Sequence, residues 1–484
     1  MPRLDPERTG HRELSEAVDA AAQPWLSLGV PVEAEQDSPR KAPRQPGYDQ
    51  LDQPPVAHAF NSAPASFSLK PMRYDSAGFP LSALSRRALL TAAGAAAGSV
   101  LLPDLAFAKQ PFDQWVESFR PRAQKRGISD ATYSRVMKSI QPDTSVYALD
   151  QKQDEFHEDT WQYLNRRVSD WRVRTGKEKL REHSALLSRI EREFGVDRYT
   201  IVGLWGMESA FGDVVLNPKH QRPIIPALAA LAWGDARRRT YWEQELLNAL
   251  VIVDRGWAQP QEMQGSWAGA MGHTAWMPEV WLNIGKDYDG DGRISPYSIP
   301  DALAGTARYL ISRGKYVKGQ DWGCEVRVPP GIKADRSTTR SLDAWKSAGV
   351  QPAGPRGFPR LGNARLWQPV DGGPAFLIGQ NFLAVRSYNP SFNYALAIVH
   401  LGDRIRGDAP FAQQFPGGER ALTLPEIQEV QQRLTRLGFD TGGTDGRVGR
   451  DTMVAIRNFQ KRAGLAPADG YAGLKVLTRL RQGL

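Results

Sequence analysis

Glu208 has the clearest potential for acid–base chemistry in this sequence. It lies in Gly203-Leu-Trp-Gly-Met-Glu-Ser-Ala-Phe-Gly212, where its neighbours are almost all apolar or small. A carboxylate in apolar surroundings is costly to ionise, so we expect a raised pKa, which suits a general acid near neutral pH. For this residue taken alone, the alternative is a glutamate at a helix edge that points to solvent. Asp213, the nearest other carboxylate, lies off the same helical face and is interpreted as a helix-end residue.

A second cluster, Gly265-Ser-Trp-Ala-Gly-Ala-Met-Gly272, is rich in small residues. Glycine and alanine at this density allow a ligand or another chain segment to approach the backbone closely, and Ser266 offers a hydroxyl there. Tight helix packing would use the same small residues. His273 follows the cluster without a partner spaced for a metal site or a catalytic triad, so we expect a simple surface or loop residue.

A third cluster alternates aspartate with glycine. The spacing of Asp287, Asp289 and Asp291 is that of the oxygen ligands in an EF-hand-like loop, with the Arg293 carbonyl as a further donor. Serine stands where a standard loop has its closing glutamate, and Asp301 is the nearest carboxylate beyond it. The pattern predicts a longer loop that holds a structural Ca²⁺ ion. A turn without metal is the alternative.

Helical periodicity surrounds these clusters. Apolar residues recur at helical spacing from Phe112 to Phe119, from Phe156 to Val168 and from Leu180 to Phe194. Asp197 is interpreted as the N-cap of the helix that carries Glu208. Strand signals are weak and scattered, and the clearest is Cys324-Glu-Val-Arg-Val328. We therefore predict a mainly α-helical main domain.

The three clusters, in this order, resemble the membrane-bound lytic murein transglycosylase B family. The resemblance extends from Phe112 to Gly407, and it also rests on Arg386-Ser-Tyr-Asn-Pro-Ser391 followed by Tyr394. It implies a lysozyme-like fold. It also implies cleavage of the β-1,4 bond between N-acetylmuramic acid (MurNAc) and N-acetylglucosamine (GlcNAc) in peptidoglycan, with a 1,6-anhydromuramyl product.

The resemblance implies roles for individual residues. Glu208 matches the family's single catalytic acid, which protonates the leaving oxygen and then deprotonates the muramyl C6 hydroxyl, while the substrate's N-acetyl group stabilises the anomeric carbon. Residues that match substrate-binding positions are Ser266, Tyr388, Asn389, Tyr394, Tyr309 and Tyr163. A core role is the alternative for each tyrosine. Residues that match the family's calcium loop are Asp287, Asp289, Asp291, Asp301 and, through its carbonyl, Arg293.

One position departs from the family pattern. The family has Met-Gly-x-x-Gln-Phe-Met-Pro after the glycine cluster, and this chain has Ala275 in place of the glutamine. Alanine cannot form the hydrogen bonds of a side-chain amide. Two alternatives therefore stay open beside the lytic transglycosylase. One is a muramidase-type hydrolase on the same fold, and the other is a non-catalytic scaffold that binds peptidoglycan.

The remaining segments indicate export and attachment to substrate. Residues 1–84 are expected to be disordered, or an upstream segment that is not part of the true protein. Arg86-Arg87 before an apolar stretch predicts a twin-arginine-type signal peptide over residues 85–108, and hence a periplasmic protein. The catalytic domain is expected over residues 109–410. Residues 421–484 resemble the three-helix peptidoglycan-binding domain, which would hold the enzyme on insoluble substrate.

Composition limits the classes of partner. The formal net charge of +9 fits either an anionic partner or a solvated basic surface, and no Lys/Arg run is dense enough to indicate nucleic acid. The apolar stretch from Ala88 to Leu102 is too short to span a bilayer comfortably. Cys324 is the single cysteine, so an intramolecular disulfide is excluded. We expect peptidoglycan as the partner and no organic cofactor, and the sequence does not indicate an oligomeric state.

Overall fold

The computed structural model describes residues 110–151 and 158–483 of the chain. The expectations for residues 1–84 and 85–108 fall outside the described residues. The helices of the first region are α1 (Phe112–Lys125), α2 (Asp130–Met137), α3 (Val146–Gln151), α4 (Thr160–Arg167), α5 (Asp170–Glu182), α6 (Ser184–Phe194), α7 (Arg198–Ser209), α8 (Asp213–Leu216), α9 (Ile224–Gly234), α10 (Arg239–Asp254), α11 (Pro278–Asn283), α12 (Ile299–Ser312), α13 (Leu342–Ser347), α14 (Gln380–Arg386) and α15 (Phe392–Arg406). The strands are β1 (Arg222–Pro223), β2 (Gln264–Gly265), β3 (Gly323–Arg327), β4 (Asp335–Ser341), β5 (Gln351–Pro352), β6 (Asn363–Trp367) and β7 (Ala375–Ile378).

Helix α7, which carries Glu208, has defined ends. The carboxylate of Asp197 accepts a hydrogen bond from the Thr200 amide at 3.1 Å, so Asp197 is the N-cap that the sequence predicts. The helix ends at Ser209 because Ala210 and Phe211 adopt left-handed backbone conformations, with φ of 51° and 61°. Asp213 is therefore not on this helix. It begins the separate short helix α8.

Helices α7 and α15 pack closely at two glycines. A Cβ atom on Gly203 would lie 2.5 Å from the carbonyl oxygen of Ile398, and a Cβ on Gly402 would lie 2.7 Å from that of Tyr199. Side chains at these positions would force the two helices apart. The close packing brings the first turn of α15 beside the end of α7 that carries Glu208.

The predicted single helix from Leu180 to Phe194 is wrong. Helix α5 ends at Glu182 and α6 begins at Ser184, because His183 between them has non-helical backbone angles. The C-terminal end of the stretch lies where the sequence predicts it, at Phe194 before Gly195. Gly195 takes a left-handed conformation and caps α6.

A five-stranded antiparallel sheet lies between residues 323 and 378. The sequence indicated only one of its strands, β3, through the signal at residues 324–328. The strand order of the sheet is β4-β6-β7-β3-β5. The sheet has a small core of its own that includes Leu366, Leu377 and Trp345. Strand β4 is the edge, and all seven of its residues are exposed. Its polar sequence therefore shows no alternation of apolar and polar residues that would indicate a strand.

The C-terminal region forms a three-helix bundle of α16 (Leu424–Arg436), α17 (Arg450–Arg462) and α18 (Leu474–Gln482). Its core is separate from that of the main helical region and includes Val430, Ile456 and Leu477. The mainly α fold with a small C-terminal bundle, predicted from the sequence, is confirmed.

The bundle contacts helices α4 and α5 and the start of α8. Tyr471 packs edge-on against Trp161, with ring centroids 5.0 Å apart. Arg447 pairs with Asp213 at 2.6 Å and lies 4.6 Å from the ring centre of Trp171. The bundle therefore rests on the helices that lie next to α7 and α15.

A bilayer-spanning helix is not found in the described part of the chain. None of the helices there reaches the required length with the required apolar content.

Candidate active site

Glu208 lies at the end of α7 and is only 3% exposed. Its Oε1 accepts a hydrogen bond from the hydroxyl of Tyr394, which stands in the first turn of α15. Burial, and then the charge of Glu208, raise the pKa of Tyr394 well above its ordinary value. The tyrosine hydroxyl therefore keeps its proton and acts as the donor. A donor of this kind favours the ionised form of the carboxyl group.

Tyr388 and Tyr309 form an edge-to-face pair of rings beside this contact. Their ring centroids lie 4.6 Å apart, and the Tyr309 hydroxyl donates to the Ser387 carbonyl at 3.0 Å. The Tyr388 hydroxyl lies 3.3 Å from Oγ1 of Thr306 in α12. Burial raises the pKa of Tyr388, and the charge of Glu208 adds to this effect. The pair thus connects α12 to the segment that precedes α15, within electrostatic reach of the acid.

Asn389 and Tyr163 are two further residues that the sequence predicts to bind substrate. Asn389 is buried, and its Oδ1 accepts a hydrogen bond from the Ser391 amide at 2.9 Å, which shapes the turn into α15. Tyr163 belongs to α4, and its hydroxyl lies within electrostatic range of Glu208. Burial raises the pKa of Tyr163. The structure therefore gathers side chains from α4, α7 and the start of α15 around one carboxyl group.

Arg167 is a feature of this site that sequence reasoning missed. It is 2% exposed, it lies 5.5 Å from the ring centre of Tyr163, and its charge interacts with that of Glu208. In the described part of the chain, its Nε has no hydrogen-bond partner. The signal was present, because Tyr163 and Arg167 are four residues apart on a helix and share one face.

Ser266 belongs to a compact turn. Its Oγ accepts a hydrogen bond from the Ala270 amide at 3.1 Å, and its own amide donates to the Ala270 carbonyl at 2.8 Å. A Cβ atom on Gly265 would lie 2.1 Å from the Ala270 oxygen. The turn itself therefore requires a glycine at position 265, whether or not a ligand binds there.

The expectation of a surface position for His273 is wrong. His273 is buried, its Nδ1 accepts a hydrogen bond from Trp205 Nε1 at 3.2 Å, and its carbonyl accepts one from Ser209 Oγ at 2.6 Å. Burial lowers the pKa of its imidazole to about 4. His273 ties its loop to α7. Its partner Trp205 is distant in sequence, so local pattern could not reveal the contact.

Ala275 lies in the turn between Met271 and Trp276, which exchange two backbone hydrogen bonds of 2.9 and 2.8 Å. Its backbone is left-handed, with φ of 54°, and the residue is partly exposed. The turn therefore holds an unfavourable backbone conformation for alanine at this position.

Three of the predicted calcium ligands come together. Asp287, Asp289 and Asp301 each place a carboxylate oxygen within 4.8 Å of the others. Asp301 is fully buried, and its oxygens accept hydrogen bonds from the Tyr288 and Ser295 amides at 2.7 and 2.9 Å. An all-oxygen donor set fits Ca²⁺.

The other two predicted members of the loop are arranged differently. The carboxylate of Asp291 accepts a hydrogen bond from the Arg293 amide at 2.8 Å and does not belong to the close carboxylate group. Both residues are exposed.

A second buried carboxyl group, Glu245 of α10, offers a comparison for Glu208. It is 5% exposed, and burial raises its pKa to about 7. Its Oε2 accepts a hydrogen bond from the Glu279 amide at 3.0 Å, at the start of α11. Glu245 is therefore as buried as Glu208, but its carboxylate accepts a hydrogen bond from the first turn of helix α11.

Comparison with known families shows to which family this chain belongs. The model of the transglycosylase SLT domain matches residues 111–403, which is more than half of the 484-residue chain. The chain belongs to the transglycosylase SLT domain family. A peptidoglycan binding domain matches residues 423–480, the region of the C-terminal bundle.

Individual relatives agree with this family. Membrane-bound lytic murein transglycosylase B of Escherichia coli (strain K12) is 29% identical over 274 residues, which is 56% of this chain and 73% of the relative. The structure of SltB3 from Pseudomonas aeruginosa in complex with NAG-anhNAM-pentapeptide is 37% identical, covers 77% of this chain and 100% of that one, and has a TM-score of 0.59. The Escherichia coli Slt35 structure in complex with calcium is 26% identical, covers 62% and 94%, and has a TM-score of 0.52. The predicted resemblance is confirmed.

Proposed function

We propose that Glu208 is the single acid and base with which this enzyme cleaves the β-1,4 bond between MurNAc and GlcNAc. The chain is a lytic transglycosylase of peptidoglycan, as its family and its relatives indicate. The observation that carries the assignment of Glu208 is the hydrogen bond from Tyr394 to its buried carboxyl group.

The first step needs Glu208 in its protonated form. The acid donates its proton to the glycosidic oxygen, and the bond from that oxygen to the muramyl anomeric carbon breaks. The carbonyl oxygen of the substrate's N-acetyl group bonds to the anomeric carbon and takes over its positive charge. Glu208 is then ionised, and the hydroxyl of Tyr394 stabilises the carboxylate at this stage.

The second step returns the proton. The Glu208 carboxylate takes the proton of the muramyl C6 hydroxyl, whose oxygen attacks the anomeric carbon and displaces the N-acetyl oxygen. The product is a 1,6-anhydro ring, and no water is consumed. Arg167 and Tyr163, which lie within electrostatic range of Glu208, act on the carboxylate that exists between the two steps.

A second carboxylate is not needed for this sequence of steps, and Asp213 is unsuited to provide one. It begins a separate helix and is paired with Arg447 of the C-terminal bundle at 2.6 Å. The geometry therefore favours the substrate-assisted route over a two-carboxylate mechanism.

Mass analysis of the fragments released from purified peptidoglycan tests this proposal. The wild-type protein should release muropeptides that are lighter by one water than the hydrolysis products, and Glu208→Gln should release none. Glu245→Gln is the matched control, because it removes another buried carboxyl group of the same region.

Three results would contradict the assignment. If activity survives Glu208→Gln but not Glu245→Gln, Glu208 is not the catalytic acid. Products with free reducing ends would indicate a muramidase-type hydrolase. Binding to peptidoglycan without release of any fragment would indicate a non-catalytic scaffold.

The predicted substrate-binding residues and the aspartate-rich loop complete the proposal. Sugar-binding roles are assigned to Ser266, Tyr388, Asn389, Tyr394, Tyr309 and Tyr163. A structural Ca²⁺ ion is assigned to Asp287, Asp289, Asp291, Asp301 and the Arg293 carbonyl, and the close approach of three of these carboxylates supports it. The C-terminal bundle would hold the enzyme on the wall and raise its local concentration there. Export by the signal peptide over residues 85–108 would deliver the enzyme to the periplasm.

A further inference from the structure

Arg336, Arg365 and Arg386 form a group of neighbouring positive charges that we call the arginine patch. Two of them, Arg336 and Arg386, lie over the ring of Phe392. The guanidinium carbons of Arg336 and Arg386 lie 4.8 and 4.4 Å from the ring centre of Phe392. Arg365 donates hydrogen bonds to the Arg336 carbonyl at 3.3 Å and to Thr339 Oγ1 at 3.1 Å. The patch therefore connects strands β4 and β6 to the start of α15.

The positive charge of the arginine patch is not neutralised within the described residues, since no carboxylate there forms an ion pair with it. Arg386 donates from Nε to the Pro390 carbonyl at 2.7 Å. Burial, and then the charges of Arg336 and Arg365, lower the pKa of Arg386. Three like charges held together in this way favour a bound anion.

The nearest carboxylate in sequence is engaged elsewhere. Asp335 accepts hydrogen bonds from the hydroxyls of Ser337 and Thr338. These bonds lower the pKa of Asp335 to about 2. Asp335 therefore caps an irregular turn of strand β4 and does not neutralise the neighbouring arginine.

The arginine patch lies beside the candidate active site. Arg386 and Phe392 stand on either side of the segment that contains Tyr388 and Asn389. Tyr388 lies within electrostatic reach of Glu208, and Arg386 Nε donates to the Pro390 carbonyl at the end of the same segment. A substrate that places its muramyl sugar at Glu208 would extend its substituents toward this region.

We propose that the arginine patch binds carboxylates of the stem peptide that is attached to the muramyl sugar. This inference rests on the proposed function. The stem peptide carries free carboxylates, whereas the sugar chain itself offers hydroxyl and N-acetyl groups. Guanidinium groups suit carboxylates because they donate two parallel hydrogen bonds.

The test compares glycan strands that carry stem peptides with strands from which an amidase has removed them. In the double variant Arg336→Gln with Arg365→Gln, KM for the peptide-bearing strands should rise about tenfold, which corresponds to the loss of one charge-assisted contact. For the peptide-free strands, kcat/KM should change less than about twofold, so the loss is confined to one substrate.

Arg340→Gln is the matched control. Arg340 lies on the same strand β4 but stacks over Trp345 at 4.9 Å, outside the arginine patch. Its replacement should leave both substrates unaffected. If the double variant melts at a lower temperature, the single change Arg336→Gln decides the question, because Arg336 is exposed on the edge strand and its backbone carbonyl remains.

The outcomes separate this proposal from the proposed function. Equal losses on both substrates, or no loss on either, overturn the binding of stem peptides. Reduced binding to vesicles of anionic lipid, with KM unchanged, also overturns it and assigns the patch to a membrane surface. If the wild-type protein releases no anhydro product from either substrate, the proposed function has failed instead.

Discussion

The hydroxyl of Tyr394 is expected to contribute directly to the rate, and Tyr394→Phe removes it while keeping the buried ring. A hydrogen bond to a charged group is worth about 1.5–3 kcal/mol. The mechanism uses this bond most when Glu208 is ionised between the two steps, so its loss raises the barrier that leads to that state. Since 1.36 kcal/mol corresponds to a factor of ten, kcat should fall about tenfold to a hundredfold.

The assay for this variant is the initial rate of anhydro-product release from purified peptidoglycan. Tyr133→Phe is the control, because Tyr133 is also buried and donates its hydroxyl to the Val116 carbonyl at 2.5 Å, in α1. That change should lower stability and leave kcat unaltered. If Tyr394→Phe folds normally and keeps kcat within twofold, the hydroxyl does not serve the ionised acid and the reasoning fails.

Three further predictions concern stability. The pKa of His273 is lowered from 6.5 to about 4, so the unfolded chain binds the proton more readily, and the free energy of unfolding should fall by about 3 kcal/mol as pH drops from 6.5 to 4. Urea unfolding across this range checks it, and His273→Gln should remove that part of the pH dependence. Calcium should raise the melting temperature of the wild-type protein but not of Asp301→Asn, as read by calorimetry, because binding stabilises by about 2.7 kcal/mol at 100 times Kd. Arg447→Ala should lower the free energy of unfolding by less than about 1 kcal/mol, since the pair with Asp213 is partly exposed, yet it should speed proteolysis between residues 408 and 423. Unchanged cleavage would show that the pair does not hold the bundle in place.

Much of the site could be predicted because local sequence patterns carried it. Asp197 marked the start of the helix, and the apolar surroundings of Glu208 indicated a buried acid, which is 3% exposed. The aspartate spacing predicted a group in which Asp287, Asp289 and Asp301 do meet. These features depend on residues that are close in sequence, where spacing and geometry are directly related.

The errors have physical causes as well. His273 was expected at the surface because its partner Trp205 lies in helix α7, 68 residues away in the sequence. The sequence indicated strand β3 but not the whole sheet, because the edge strand β4 is polar throughout and shows no alternation. The break at His183 was missed because apolar spacing continues across it.

The sequence by itself determined the helical class, the candidate acid and the family resemblance, since each depends on residue types at short spacing. Only the tertiary structure decided which groups surround Glu208. It placed Tyr394 as the hydrogen-bond donor and Arg167 as a buried charge nearby. The reason is that α7 and α15, far apart in the chain, approach closely at Gly203 and Gly402, and no local pattern specifies which helices will meet.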